Sequence, residues 1–408
     1  MKIIGPFTQL LPLSQMPLKG ALKDEDLVII DHGGIVSENG KILKVGEFNQ
    51  LKNEFPDAQV EQIQGNAVAI PGLIDSHTHI CFGGTRAKDF AMRNAGKSYL
   101  DIAREGGGIW STVLNTRKAT QEELVQGIVE RANYLLSLGI TTVEVKSGYG
   151  LSVAEELKML RAIKEANNLT KQKLITTCLA AHTLPKDFEG NHAQYLKLIE
   201  NELFPVLVEE NLTQRMDAFI EEEAFDEKVT LPYFEKGKEL GFQITVHADQ
   251  FSTGGSEVAV KVGAVSADHL EASTQKEVEM LANSATVATA LPGATLGLGC
   301  AFTPARALLD AGACLAIASD WNPGSGPQGN LLSQASILAT FQKLSNAEVL
   351  AGITFRAAHA LREQNIGKLA EGFEANFAMF ETDNYQEITY QQGRLMPSAV
   401  FVKGEIVF

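Results

Sequence analysis

The sequence predicts an α/β chain whose main unit is a (β/α)8 TIM-like barrel, joined to a small β-sandwich domain assembled from both chain termini. Three observations lead there. Eight short apolar runs alternate with helix-like segments through the middle of the chain, ionisable residues collect where those runs end, and both termini are β-rich. A length of 408 residues suits one large and one small domain. The expected division is 1–68 with 368–408 for the small domain, and 69–367 for the barrel.

The ends come first. "LVIIDHGGIVSENGKILKVGEF" near the start and "VFVKGEIVF" at the finish read as short strands. Asn39-Gly40 between apolar runs is a hairpin signal, because both residues tolerate the positive φ of a type I′ turn. The barrel strands are expected at 73–79, 141–148, 174–182, 217–223, 242–249, 264–269, 285–293 and 314–320. Between them, Thr120/Glu123, Ser152/Glu155, Thr274/Glu277 and Ser345/Glu348 have capping-box spacing. The first box opens a helix with Leu124, Ile128, Ala132 and Leu135 on one face and Gly139 as its stop.

Composition narrows the partners. A formal net charge of −15 argues against a nucleic-acid or anionic-membrane surface, both of which need a cationic footprint, and leaves a small molecule. Cys81, Cys178, Cys300 and Cys314 lie far apart without a C-x-x-C pair, which suits a reducing cytoplasm. "MKIIGPFTQLLPL" is interrupted by Pro and Gln and does not read as a signal peptide. Residues 285–305 carry no charge, but Pro292, Pro304, three glycines and four threonines make them a buried strand followed by a loop rather than a membrane span.

In a (β/α)8 barrel the chemistry sits at the C-terminal ends of the strands. His77, His79, Lys146, His182, His247, Asp249, His269 and Asp320 all fall there. Residues two apart on a strand share a face, with about 6 to 7 Å between Cα atoms, so His77 and His79 can reach one ion. An isolated H-x-H is open to coincidence, but His247 and Asp320 at other strand ends complete three imidazoles and a carboxylate. Such a set suits zinc or iron and leaves net positive charge to activate a bound water. His269 reads as a non-ligand histidine able to polarise a carbonyl, or else as a satisfied core histidine.

Lys146 reads as a structural lysine near the metal rather than a modified lysine bridging two ions, because the obvious ligands suffice for one. Arg86, on the glycine-rich loop "GGTRAKDF", is a candidate clamp for a carboxylate. Arg93, Arg104 and Arg117 are less favoured, their helical context offering solvent. The run Glu221-Glu222-Glu223 reads as a strand end and solvated loop, and His32, His192 and His359 as structural or surface residues.

The segments "PGLIDSHTHICFGGTR", "EGGGIWSTV", "VEVKSGYG", "AAHTLP", "VHADQ", "SADHLE" and "ASDWNPGS", in this order, resemble the amidohydrolase superfamily. Within it they are most similar to the ring-opening hydrolases of histidine degradation. "GKLAEGFEANFAMFE" resembles the family's return segment, with Asn376 where Asp is more common.

The resemblance implies one zinc or iron held by His77, His79, His247 and Asp320. It implies contacts to an anionic cyclic amide, 4-imidazolone-5-propionate, from Arg86, Tyr149, His182, Gln250, Asn322, Gly324 and Ser325, and catalytic work by His269, Asp320 and Gln250. Some members carry Glu at the place of Gln250; a glutamine cannot act as a base, which moves proton transfer to Asp320 and His269. A homodimer is also implied. The alternatives are another amidohydrolase reaction, such as aminopurine or pyrimidine deamination, and a non-catalytic binding protein on the same fold.

Overall fold

The structure is a computed structural model describing residues 1–97, 99–222 and 224–408. The chain opens with β1 (Lys2–Leu10), β2 (Ile30–Glu38), β3 (Lys41–Glu47), β4 (Gln59–Gln62) and β5 (Val68–Pro71). Asn39 and Gly40 join β2 to β3 with φ of 52° and 78°, the conformation the hairpin needs.

The next eight strands are β6 (Leu73–Asp75), β7 (Ile140–Lys146), β8 (Lys173–Ala181), β9 (Arg215–Ile220), β10 (Gln243–Ala248), β11 (Ser266–His269), β12 (Val287–Ala290) and β13 (Leu315–Ile317). They lie side by side in chain order, each parallel to the next. The circle closes where β13 runs out: the Asp320 amide donates to the His77 carbonyl (3.0 Å) and the His79 amide to the Trp321 carbonyl (2.9 Å). All eight expected strands are present, all but β8 shorter than expected.

The chain returns through β14 (Phe377–Phe380), β15 (Pro397–Val402) and β16 (Glu405–Ile406). Together with β1–β5 they form one mixed sheet in which β14 pairs with β5, so both termini build it, as expected. A bridge from Lys41 to Glu374 brings the β3 edge back beside the start of β14. The sheet therefore curls over a core of Phe7, Ile35, Phe377 and Phe401, giving the sandwich from one continuous sheet. Gly72 makes the crossing into the barrel, and a Cβ there would lie 2.4 Å from the Thr141 hydroxyl.

Helix Gln121–Ser137 buries Leu124, Ile128, Ala132 and Leu135, as its spacing predicts. Reciprocal capping boxes form at Thr120, Thr274 and Ser345. At Ser152 only the hydroxyl half forms, because Glu155 is drawn to Lys158. The uncharged segment 285–305 differs from expectation: β12 leads into a short helix, Pro292–Leu298, rather than a loop. Proline in the first turn is preorganised for a helix, and Gly299 at φ 70° ends it. Among the described residues no helix is long and apolar enough to cross a membrane.

Candidate metal centre and pocket

His77 and His79 follow β6 and flank Thr78, whose bridge to Trp321 extends the ladder past Asp75. His247 lies near the end of β10, four strands away on the opposite wall of the barrel. The three imidazoles converge: Nε2 of His79 is 3.2 Å from Nε2 of His77 and 3.3 Å from Nε2 of His247. All three side chains are buried. Asp320 Oδ1 stands 3.4 Å from His79 Nε2 and 3.7 Å from His77 Nε2.

The far sides of two rings explain their orientation. Nδ1 of His77 donates to Asp268 at 2.7 Å, and Nδ1 of His247 faces Asp217 Oδ2 at 2.8 Å. A proton fixed on Nδ1 leaves the Nε2 lone pair free to bind. Burial, with Lys146 and the neighbouring histidines adding to it, keeps the His77 ring neutral by holding its pKa well below the ordinary value. Burial and the surrounding histidines do the same at His79. Three neutral imidazoles converging on one point beside a carboxylate fit a metal ion of borderline hardness.

Beside this cluster, His269 ends β11 at φ 91°, its carbonyl held by the Thr303 hydroxyl at 2.6 Å. Burial disfavours its charged form, but Glu271 and Asp320 outweigh burial and raise its pKa. Glu271 lies 3.5 Å from His269 Nδ1. His269 is thus biased toward its protonated, donating form. The Asp320 carboxyl is raised to about 6, chiefly by burial, with the His269 charge opposing.

A cavity of about 850 Å3 opens above the cluster. His79, Arg86, Tyr149, His182, His247, Gln250, His269, Asp320, Asn322, Gly324 and Ser325 all line it, while His77 lies beneath. The structure therefore brings together the ligand candidates and the substrate-contact candidates named from the sequence.

Each wall has its own support. His182 donates from Nδ1 to the Gly148 carbonyl at 3.0 Å and stacks on His79 at 5.5 Å; burial holds it down to about 3, hence neutral. Tyr149 stands on a loop whose Gly148, Gly150 and Leu151 amides all donate to buried Glu156. Arg86 caps helix Ala87–Asn94 and donates to Asp89 at 2.8 Å, and Asp89 also accepts the Gly108 amide. Gly324 lies so close that a Cβ would sit 2.4 Å from the Arg86 guanidinium. Asn322 is committed within its own turn, accepting the Gly324 and Ser325 amides and donating to the Asp320 carbonyl, so it shapes the loop presented to a ligand.

Three expectations change. Arg93 is no solvated helix residue: it lies two turns beyond Arg86, lines the cavity and donates to the Gly324 carbonyl at 3.2 Å. The seven-residue spacing from Arg86 is the signal that puts both on one helix face. Arg117, likewise assigned to solvent, donates to the Gly150 and Leu151 carbonyls and so holds the Tyr149 loop. Glu221 is buried and accepts the Phe251 and Ser252 amides and the Ser252 hydroxyl, which fixes the loop carrying Gln250. Glu222 is exposed, as expected, and Glu223 lies outside the described residues. Asp249, read only as a rim residue, ties Ser256 and Ser273 into the loops behind the wall.

The amidohydrolase family profile matches residues 68–407. The chain belongs to the amidohydrolase family. It is 40% identical over 392 residues to the imidazolonepropionase of Bdellovibrio bacteriovorus, covering 95% of this chain and 91% of that protein. It is 40% identical over 381 residues to that of Paracoccus denitrificans, covering 93% and 95%.

Among solved structures, the zinc complex of atrazine chlorohydrolase TrzN from Arthrobacter aurescens TC1 is 18% identical with a TM-score of 0.72, covering 100% of this chain and 95% of that one. Guanine deaminase from C. acetobutylicum with bound guanine is 15% identical with a TM-score of 0.69, covering 100% of both. At that identity the two structures share the fold with this amidohydrolase.

Proposed function

We propose that this amidohydrolase is an imidazolonepropionase, hydrolysing 4-imidazolone-5-propionate to N-formimidoyl-L-glutamate in histidine degradation. The observation that carries the reading is the 40% identity to proteins of that name over more than nine-tenths of both lengths. The paired guanidiniums of Arg86 and Arg93 on one cavity wall add the cationic surface that an anionic ring would need.

His77, His79, His247 and Asp320 would hold one zinc or iron ion. When bound, that ion supplies a Lewis acid that activates water and polarises the lactam carbonyl. Arg86 binds the propionate, and Tyr149 and His182 pack the ring against His79. Gln250 hydrogen-bonds the ring, and the loop of Asn322, Gly324 and Ser325 closes the carboxylate end.

Asp320 takes the proton of the attacking water. His269 donates to the carbonyl oxygen as charge develops there. The ring C–N bond breaks, the carbonyl carbon keeps the water oxygen, and Asp320 returns its proton to the leaving nitrogen. A cytoplasmic homodimer completes the proposal.

The test is ring opening of freshly generated 4-imidazolone-5-propionate by metal-assayed protein, followed as loss of ring ultraviolet absorbance. Turnover is the expected result; full metal occupancy without turnover would overturn the substrate.

Two variants probe the walls. Arg86→Ala should raise KM about 10- to 100-fold with little change in kcat, in line with roughly 1.5–3 kcal/mol for a hydrogen bond to a charged group. An unchanged KM would remove Arg86 from the clamp. Gln250→Glu should keep activity within about tenfold of the parent, because proton transfer is assigned to Asp320 and His269. An inactive Gln250→Glu protein with full metal content would refute that division of labour.

A further inference from the structure

We propose that Lys146 is the positioning residue of the metal centre, a single ammonium that braces the two carboxylates orienting His77 and His247. This rests on the metal reading of the three-histidine cluster given above.

Lys146 ends β7 and is completely buried beneath the cavity. Its Nζ lies 2.7 Å from Glu144, 2.9 Å from Asp217 and 4.0 Å from Asp268, carboxylates on β7, β9 and β11. It therefore ties together three barrel strands below the ligands. An ammonium donating into this cage has no lone pair to offer a metal, which separates Lys146 from any bridging role. Burial works against its charge, but Asp217, Glu144 and Asp268 outweigh burial and raise its pKa.

Its reach into the metal centre is uneven. Asp217 Oδ2 lies between Lys146 Nζ at 2.9 Å and His247 Nδ1 at 2.8 Å, so one oxygen faces both the lysine and the imidazole. Asp268 Oδ2 accepts from His77 Nδ1 at 2.7 Å and keeps a neutral donor, the Thr245 hydroxyl, at 3.1 Å. His79 has no carboxylate facing its buried Nδ1, whereas His247 Nδ1 faces Asp217 at 2.8 Å. Both braced imidazoles of the three thus depend on carboxylates facing Lys146. The sharing of Asp217 Oδ2 transmits the lysine's position to a ligand.

Loss of Lys146 would leave Asp217 held through Oδ1 by the His247 amide alone and remove the charge facing Oδ2, loosening the oxygen that faces the His247 ring. The effect should appear in metal binding. Competition for zinc against a chromophoric chelator, and the visible spectrum of the cobalt-substituted protein, would be measured for the parent, Lys146→Met, Lys146→Gln, Asp217→Asn and the Lys146→Met/Asp217→Asn double variant.

Lys146→Met should bind zinc about 10- to 100-fold more weakly and alter the cobalt spectrum. Lys146→Gln, which keeps N–H donors, should lose less. The double variant should bind little more weakly than Asp217→Asn alone, because the close contact of Lys146 is to Asp217 at 2.9 Å and the one to Asp268 is only 4.0 Å. Parental zinc affinity and cobalt spectrum in Lys146→Met, or in Lys146→Gln should the methionine variant not fold, would overturn the proposal even with a lowered melting temperature. His77→Ala separates the premise: if it binds zinc like the parent, the metal reading itself is wrong, whereas its loss alongside an unaffected Lys146 variant refutes only the role of Lys146.

Discussion

Asp320→Asn should lower kcat by about 10^3- to 10^4-fold, near the upper end of what a positioned general base contributes. The substitution preserves size and the hydrogen bond from the residue's backbone N–H to the His77 carbonyl that closes the barrel, yet removes the group assigned to take the proton from water and return it to nitrogen. Its position supports the role: Asp320 Oδ1 stands 3.4 Å from His79 Nε2 and 3.7 Å from His77 Nε2, beside the point on which the imidazoles converge. His77, His79 and His247 remain to hold the ion, so metal content is to be measured on the same preparation. Turnover within tenfold of the parent at full occupancy would take proton transfer away from Asp320.

His269→Ala should cost about 10^2- to 10^3-fold in kcat with KM changed little, the loss typical of one donor aimed at a developing oxyanion. His269 touches the metal cluster only through ring contacts, 5.3 Å from His247 and 5.7 Å from His77 between centroids, so its removal leaves the ligands in place. Glu271 at 3.5 Å favours the protonated ring that donates. A large rise in KM with kcat unchanged would make His269 a binding residue instead.

The barrel was legible because buried parallel strands read as apolar runs, and because capping boxes mark helix starts with side chains that act locally. His77 and His79 were legible for the same reason: two ligands lie within one strand repeat. The groups that orient them were not. Asp217 and Asp268 sit inside apolar strands; register between β9 and β10 brings Asp217 behind His247, and only closure of the barrel brings Asp268 behind His77.

Glu221 was misread because three adjacent acids suggest solvent, while its partners, Phe251 and Ser252, lie 30 and 31 residues away. Tyr149 and Ser325 sit in segments that read only as turns, and family resemblance alone singled them out. The support beneath Tyr149, three amides on buried Glu156, is a tertiary contact that no local pattern announces.

The seam that closes the barrel joins His77 and His79 to Asp320 and Trp321 by backbone hydrogen bonds. The first pair of ligands is synthesised about 240 residues before the last one. A growing chain that has not yet reached Asp320 has three imidazoles but an open wall and no carboxylate beside them. Completion of the eighth strand and completion of the ligand set are one event, so a fully coordinated ion would mark a chain whose translation has passed the end of the barrel.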